Sequence, residues 1–195
     1  LSRFVRSGEA TPLRNRPVAE ARYQKLIEEI RYRDGQLDGY ASRLHYFSDW
    51  IADNASRMLI RELGLDLEGI HDLEPVDFMT THVDAYSQLA DVGNLEALKE
   101  TEERLSAAGR VFVPEAGISA VADHVQDGDI IAATSAVDGL DVAHTGLALW
   151  VDGTLRLMHA PLVGDSVQIS EVTLAERIQG IEGQDGIIVA RPLDR

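Results

Sequence analysis

The sequence predicts an α+β fold: helices first, then a mostly antiparallel sheet of about five strands with one helix inserted near the end. Three observations predict it. In the first half, apolar residues recur at helical spacing, as in Tyr23, Leu26, Ile27 and Ile30. In the second half, short apolar runs are separated by turn residues. Between two of those runs sits Asp152-Gly153, the pair that a two-residue type I′ hairpin prefers because both positions need positive φ.

The elements follow in order. Leu1, Phe4 and Val5 have helical spacing, Arg3 and Arg6 suit a helix C-terminus, and Gly8 suits the position after it. Residues 1–7 are therefore expected to be the last turns of a helix that begins before Leu1, the alternative being a frayed tail of an intact chain. On that reading, residues 1–195 are a single domain lacking its N-terminal part. A loop at 11–16 leads to a helix opened by Pro17 and running to about 33. Asp34-Gly35 and Asp38-Gly39 are turns. Ser42 can cap a helix whose Leu44, Phe47 and Ile51 point inward. The stretch 58–63 fits a helix extension or a strand equally well, and 64–75 reads as irregular. Helices are expected over 77–89 and, capped by Asn94, up to 108. The acid-rich run Glu100, Thr101, Glu102, Glu103 of the latter reads as a solvated face. A short extended piece at 110–113 ends at Pro114, and 118–125 reads as a short helix. His71 and His124 have no constellation around them.

Strands are predicted at 130–134, 144–151, 154–159, 167–170 and 186–191. Thr173 and Glu176 form a capping box that opens the inserted helix. The Asp152-Gly153 turn fixes a register in which Val151 faces Thr154, Trp150 faces Leu155, and Gly146 faces His159. Side chains alternate along a strand, so His144 shares a face with Gly146 and thus with His159. The two imidazoles are diagonal neighbours, and Gly146 leaves space between them. Leu147, Leu149 and Met158 lie on the other face, so the sheet is expected to be covered on both sides. Two such histidines can be a base and its orienter, two metal ligands, or two hydrogen-bonded core residues. No third metal ligand is evident at a helical or hairpin spacing, and no metal or other cofactor is expected.

Composition narrows the function. The net charge of −15, with Lys25 and Lys99 the only lysines, leaves no basic footprint for nucleic acid and disfavours adsorption to anionic membranes. No run is long enough to span a bilayer. The absence of cysteine excludes disulfides, thiolate metal sites and a cysteine nucleophile within these 195 residues. The stretch around Arg43, His45, Tyr46, Ser48, Asp49 and Trp50 is dense in polar and aromatic side chains. It reads either as a solvated helix face or as a substrate-binding helix, since such residues supply planar hydrogen bonding and stacking.

A helical half followed by a sheet with histidines in successive strands is a papain-like order. In that order a cysteine at a helix N-terminus is the nucleophile, one histidine is the base, and a polar residue on the next strand fixes its tautomer. More specifically, IRYRDG at 30–35, YASRLHYFSDWIADN at 40–54, DFMTTH at 77–82, GDII at 128–131, GLDVAHTGLAL at 139–149, LRLMHA at 155–160, VQIS at 167–170 and GIIVARP at 186–192 carry a resemblance. The sequence resembles the N-acetylmuramoyl-L-alanine amidase-like family of NlpC-type bacterial cell-wall hydrolases, over nearly the whole chain.

The resemblance implies hydrolysis of the amide between the lactyl group of N-acetylmuramic acid and L-alanine, in peptidoglycan fragments (muropeptides). It implies His144 as catalytic base and His159 as orienting residue. It implies a substrate cleft containing the 43–50 segment, with Arg43, His45, Tyr46 and Asp49 as contacts to the sugar or stem peptide. Asp141, three residues before the base, is expected to shape its loop. A periplasmic or cell-envelope location follows from the substrate. One departure stands out: the family's nucleophilic cysteine belongs to the helix that would precede Leu1. Ser2 is no substitute, because the dipole near a helix end opposes an alkoxide. The chain as it stands is expected to be inactive, its parent a cysteine–histidine hydrolase. A non-catalytic peptidoglycan-binding remnant, a stem-peptide endopeptidase and a metal hydrolase using His144, His159 and Asp141 remain as alternatives.

Overall fold

A computed structural model describes residues 16–163 and 166–194 of the chain. The expected helix end at 1–7 and nearly all of the 11–16 loop lie outside these residues. Among the described residues the sheet has eight strands, not about five, and all the named pairings are antiparallel. They are β1 (Ile60–Glu62), β2 (Ile70–Asp72), β3 (Arg110–Pro114), β4 (Ile130–Ser135), β5 (Val142–Val151), β6 (Thr154–His159), β7 (Gln168–Ile169) and β8 (Gln184–Pro192). The order across the sheet is β2-β3-β8-β4-β5-β6-β7, and β1 also pairs with β8. The last strand in sequence is thus central in space. Its run Ile187, Ile188, Val189 and Ala190 is buried on both faces, which is why it is continuously apolar rather than alternating.

The helices are α1 (Arg16–Arg31), α2 (Phe47–Ser56), α3 (Phe78–Thr81), α4 (Val92–Ala108), α5 (Ile118–Val121) and α6 (Leu174–Gln179). One face of the sheet, with Ile131, Ala133, Leu157, Ile187 and Val189, packs on Ile118 of α5 and on Leu174 and Ile178 of α6. The opposite face, with Ala132, Ile188 and Ala190, packs on Ile51 of α2 and on Leu59. A third cluster joins Tyr46, Val76, Met79 and Leu89 to Leu98 and Leu105 of α4.

Of the three strands beyond the expected five, β1 lies in the stretch that fits helix or strand equally well, β2 in the stretch expected to be irregular and β3 in the extended piece at 110–113. β1 and β2 are only three residues each, too short to display a period. The helix α2 stops at Ser56, and Met58 at φ 55° turns the chain into β1. The predicted 77–89 helix is broken into α3 and two 3-10 turns, Val83–Ala85 and Ser87–Ala90. Similarly, only 118–121 of the predicted 118–125 helix is α-helical; a 3-10 turn follows. Ser42 does not cap a helix. It lies in the 3-10 turn Tyr40–Ser42, where its hydroxyl accepts from Asp38 N and donates to Gly39 O. The cap of α4 is Asp91, whose side chain accepts from Asn94 N, rather than Asn94 itself. On α1, Tyr23 is 50% exposed rather than packed inward. The capping box at Thr173 and Glu176 forms as expected.

The β5–β6 hairpin has the predicted register throughout, from Val151 opposite Thr154 to Gly146 opposite His159. Asp152 (φ 50°) and Gly153 (φ 75°) make the turn, the positive dihedrals that select this pair. Coverage is less complete than expected. The face with Ala148, Leu155 and Leu157 is buried, whereas on the other face Leu147 is 36% and Ile169 45% exposed. The second layer therefore covers β4 and β8 but not the β5–β7 edge.

Candidate active site

His144 lies on β5 opposite Ala133, beside a shift in register between Ala133 and Thr134 of β4. His159 is the last residue of β6. Alternation places both rings on one face, and they meet edge to face, with centroids 4.9 Å apart and planes at 89°. His144 Nε2 and His159 Nδ1 are 2.8 Å apart and share one hydrogen. His159 is 7% exposed; His144 is half-buried and lines a cleft. Gly146 does not leave an open gap between them. A Cβ there would approach Leu157 Cδ1 and Met158 O to 2.7 Å each, so glycine permits close contact with β6.

Burial lowers the proton affinity of His144 below the ordinary histidine value, and the Arg177 cation on α6 lowers it further. His159 is lowered by burial, by His144 and by Arg177. Both effects favour neutral rings. A neutral pair sharing one hydrogen has two arrangements. In one, His144 donates from Nε2 and keeps a lone pair on Nδ1. That nitrogen makes no hydrogen bond among the described residues and is available to accept a proton.

The cleft has a volume of about 580 Å³. Its walls come from the 40–50 segment, from Met79 and Tyr86, and from 140–145 at the start of β5. Of the residues expected to bind substrate, Arg43, His45, Tyr46 and Asp141 line it; Asp49 does not. Asp49 is 1% exposed and lies beneath the cleft, where it receives 2.7 Å bonds from Arg33 Nη2 and Arg104 Nη2. Its position on the polar 43–50 stretch is the same signal that marked the others, and only tertiary packing separates them.

Three of the lining residues are held by structural bonds. Asp141 Oδ2 accepts from Ser48 N at 2.8 Å. Ser48 is in the first turn of α2, so Asp141 caps that helix across sequence and ties the start of β5 to it. Burial pushes the Asp141 carboxyl above its usual range, against the Ser48 bonds and the field of Arg110, which favour ionisation. The Tyr46 hydroxyl donates to Glu102 Oε1 at 2.6 Å and accepts from Met79 N at 2.8 Å. Burial and the Glu102 bond raise its pKa. Glu102 also accepts from Thr80 N and from the Thr80 hydroxyl. At 3% exposure it corrects the expectation of a merely solvated acidic face on α4: within a run of acids, nothing local marks the one that turns inward. His45 Nε2 pairs with Tyr40 O at 3.1 Å, and its ring packs on Tyr40 with centroids 4.4 Å apart. Burial lowers its pKa.

Tyr40, Trp50 and Tyr86 also line the cleft. Trp50 stacks on Phe47 at 5.2 Å. Aromatic density at 40–50 was the available signal for the first two; Tyr86, in a segment read as plain helix, had none. Among the described residues, no three His, Asp or Glu side chains converge as metal ligands.

A family model for the AmiA-like, N-acetylmuramoyl-L-alanine amidase-like proteins matches residues 6–186, and the chain belongs to that family of cell-wall hydrolases. Two crystal structures of a N-acetylmuramoyl-L-alanine amidase from Bacteroides uniformis are 34% and 32% identical to it. Their TM-scores are 0.84 and 0.81, each over 90% of this chain and 75% of the other. A putative xylanase from Bacteroides fragilis is 29% identical, with a TM-score of 0.81 over 93% of this chain and 80% of its own. A protein from Legionella pneumophila at 18% identity and TM-score 0.63 shares the fold. No curated protein matches the chain.

Proposed function

We propose that these residues supply the base, the orienter and most of the substrate cleft of an N-acetylmuramoyl-L-alanine amidase of the papain-like NlpC type, working on muropeptides in the periplasm or cell envelope. The observation that carries this reading is the 2.8 Å contact between His144 Nε2 and His159 Nδ1 beside the cleft. It gives the half-buried imidazole of His144 one anchored nitrogen and, among the described residues, one free nitrogen.

The free Nδ1 of His144 takes the proton of a thiol, and the thiolate attacks the lactyl carbonyl carbon. Nε2–H, bonded to His159, stabilises the imidazolium that forms, because its acceptor remains in place after protonation. His144 then gives the proton to the leaving L-alanine nitrogen as the C–N bond breaks. Water, deprotonated by the same nitrogen, releases the N-acetylmuramoyl carboxylate from the thioester. Backbone N–H groups beside the thiol hold the oxyanion. The 195 residues contain no cysteine, so the mechanism requires a thiol from outside them.

The test has two arms, each read by release of L-alanine peptide from N-acetylmuramoyl-L-alanyl peptides. The 195 residues alone release none; release would contradict the thiol mechanism. In a polypeptide that joins a cysteine-bearing helix to these residues, His144→Ala lowers kcat by roughly 10²–10⁴-fold. Unchanged turnover would remove His144 from the base role.

A further inference from the structure

Resting on the amidase reading, we infer that Arg43 is the anion-recognition residue of the cleft, and that it selects substrates bearing a carboxylate on the peptide side of the scissile amide. The charges lining the cleft point there. Among the described residues, Arg43 is the one arginine or lysine that lines it, and Asp141 the one acid. Asp141 is 2% exposed and its carboxylate is engaged by Ser48 N, while the cation whose field bears on it is Arg110. Arg43 therefore does not serve as its counter-ion. The Arg43 side chain makes no hydrogen bond or ion pair among the described residues; its backbone alone is engaged, by Tyr40 O and by a bridge to Tyr32.

This contrasts with the other arginines around α2. Arg33 and Arg104 are committed to Asp49, and Arg57 to Asp53. A chain carrying −15 has acids in excess, yet among the described residues none pairs with this guanidinium. Its surroundings suit a planar ligand group. Tyr40, His45 and Tyr86 line the same cleft; burial raises the Tyr40 pKa and lowers that of His45, and the field of Arg43 acts downward on both. His45, lowered mainly by burial, stays neutral near pH 7, so it adds no competing positive charge.

Substrate chemistry determines which half the guanidinium reads. An N-acetylmuramoyl group whose lactyl carboxyl is tied up in the amide has no ionised group. The anions of such a ligand are the carboxylates of its peptide. A guanidinium fork matches a carboxylate with two parallel hydrogen bonds, so Arg43 favours acidic peptides over their carboxamides.

Binding is measured directly on the 195-residue chain, which has no cysteine to turn the ligand over. Isothermal titration compares N-acetylmuramoyl-L-alanyl-D-glutamate with the same ligand carrying both glutamate carboxyls as carboxamides. The acid is expected to bind roughly ten- to a hundred-fold tighter, and the preference to shrink with added salt. Arg43→Gln brings the affinity for the acid down to that for the carboxamide; Arg43→Lys retains part of the difference. Equal affinities in the unaltered chain, or a preference that survives Arg43→Gln, would overturn the Arg43 assignment and leave the amidase reading standing. Binding of neither ligand would overturn both.

Discussion

His144 and His159 show how a turn of two residues determines chemistry fifteen residues wide. Once Asp152-Gly153 sets the register, the alternation of a strand leaves the rings no choice but to share a face. That much was legible in the sequence. The atom-level contact was not, because it depends on the close approach of β6 at Gly146. Gly146→Ala places a Cβ against Leu157 and the Met158 carbonyl; the hairpin must shift, and urea denaturation is expected to show a loss of roughly 1–3 kcal/mol. At the same scale, His159→Asn should impair turnover less than His159→Ala in the cysteine-supplied protein, since the amide oxygen can still accept from His144 Nε2–H. Equal losses in steady-state kcat would count against an orienting role. Asp49 and Glu102 were misplaced by sequence reasoning for one reason: charged residues in a polar stretch look alike until packing chooses which are buried.

The cleft is an arrangement of elements, and its walls are tied together by two buried carboxylates. Asp141 joins the start of β5 to the first turn of α2, and Glu102 joins α4 to Tyr46 and Thr80. Neither bond has a sequence signature, because partners 93 and 56 residues apart are set by the fold alone. Asp141→Ala leaves an N–H of α2 without its acceptor and should cost about 1–2 kcal/mol in chemical denaturation. Tyr46→Phe leaves Met79 N without its acceptor and removes one of the bonds to Glu102, which keeps those from Thr80, at a similar cost of roughly 1–3 kcal/mol. Stabilities unchanged within error would mean that these ties do not hold the walls. Where the elements themselves were misread, length was the cause. The three-residue strands β1 and β2 carry no period, whereas β5, which starts two residues before the expected 144–151, and the strong turn after it are legible.

For the molecule as a whole, burial of neutral histidines makes stability depend on pH. His45, His144 and His159 each have a folded pKa below the ordinary 6.5. Near and below that value the unfolded chain binds more protons than the folded one. Their contribution is therefore full above about pH 6.5 and is lost as pH falls through the folded values. Asp141, raised by burial, runs the other way: its contribution is present at low pH and lost as pH rises through its folded value. Denaturation midpoints should fall between about pH 7.5 and 5.5, and fall less in a His144→Gln, His159→Gln double variant. The mixed α/β character and the mostly antiparallel sheet were readable from sequence; the eight-strand width and the placing of β1, β2 and β3 among the helices were not, since β8 pairs with β1, β3 and β4 only once the whole chain has been placed.

The most direct test of the base assignment is nitrogen-15 NMR of the histidine rings in the 195-residue chain. The account predicts that at neutral pH His144 carries its hydrogen on Nε2, leaves Nδ1 unprotonated, and titrates below the ordinary histidine value. A hydrogen on His144 Nδ1, or a titration above that value, would contradict it.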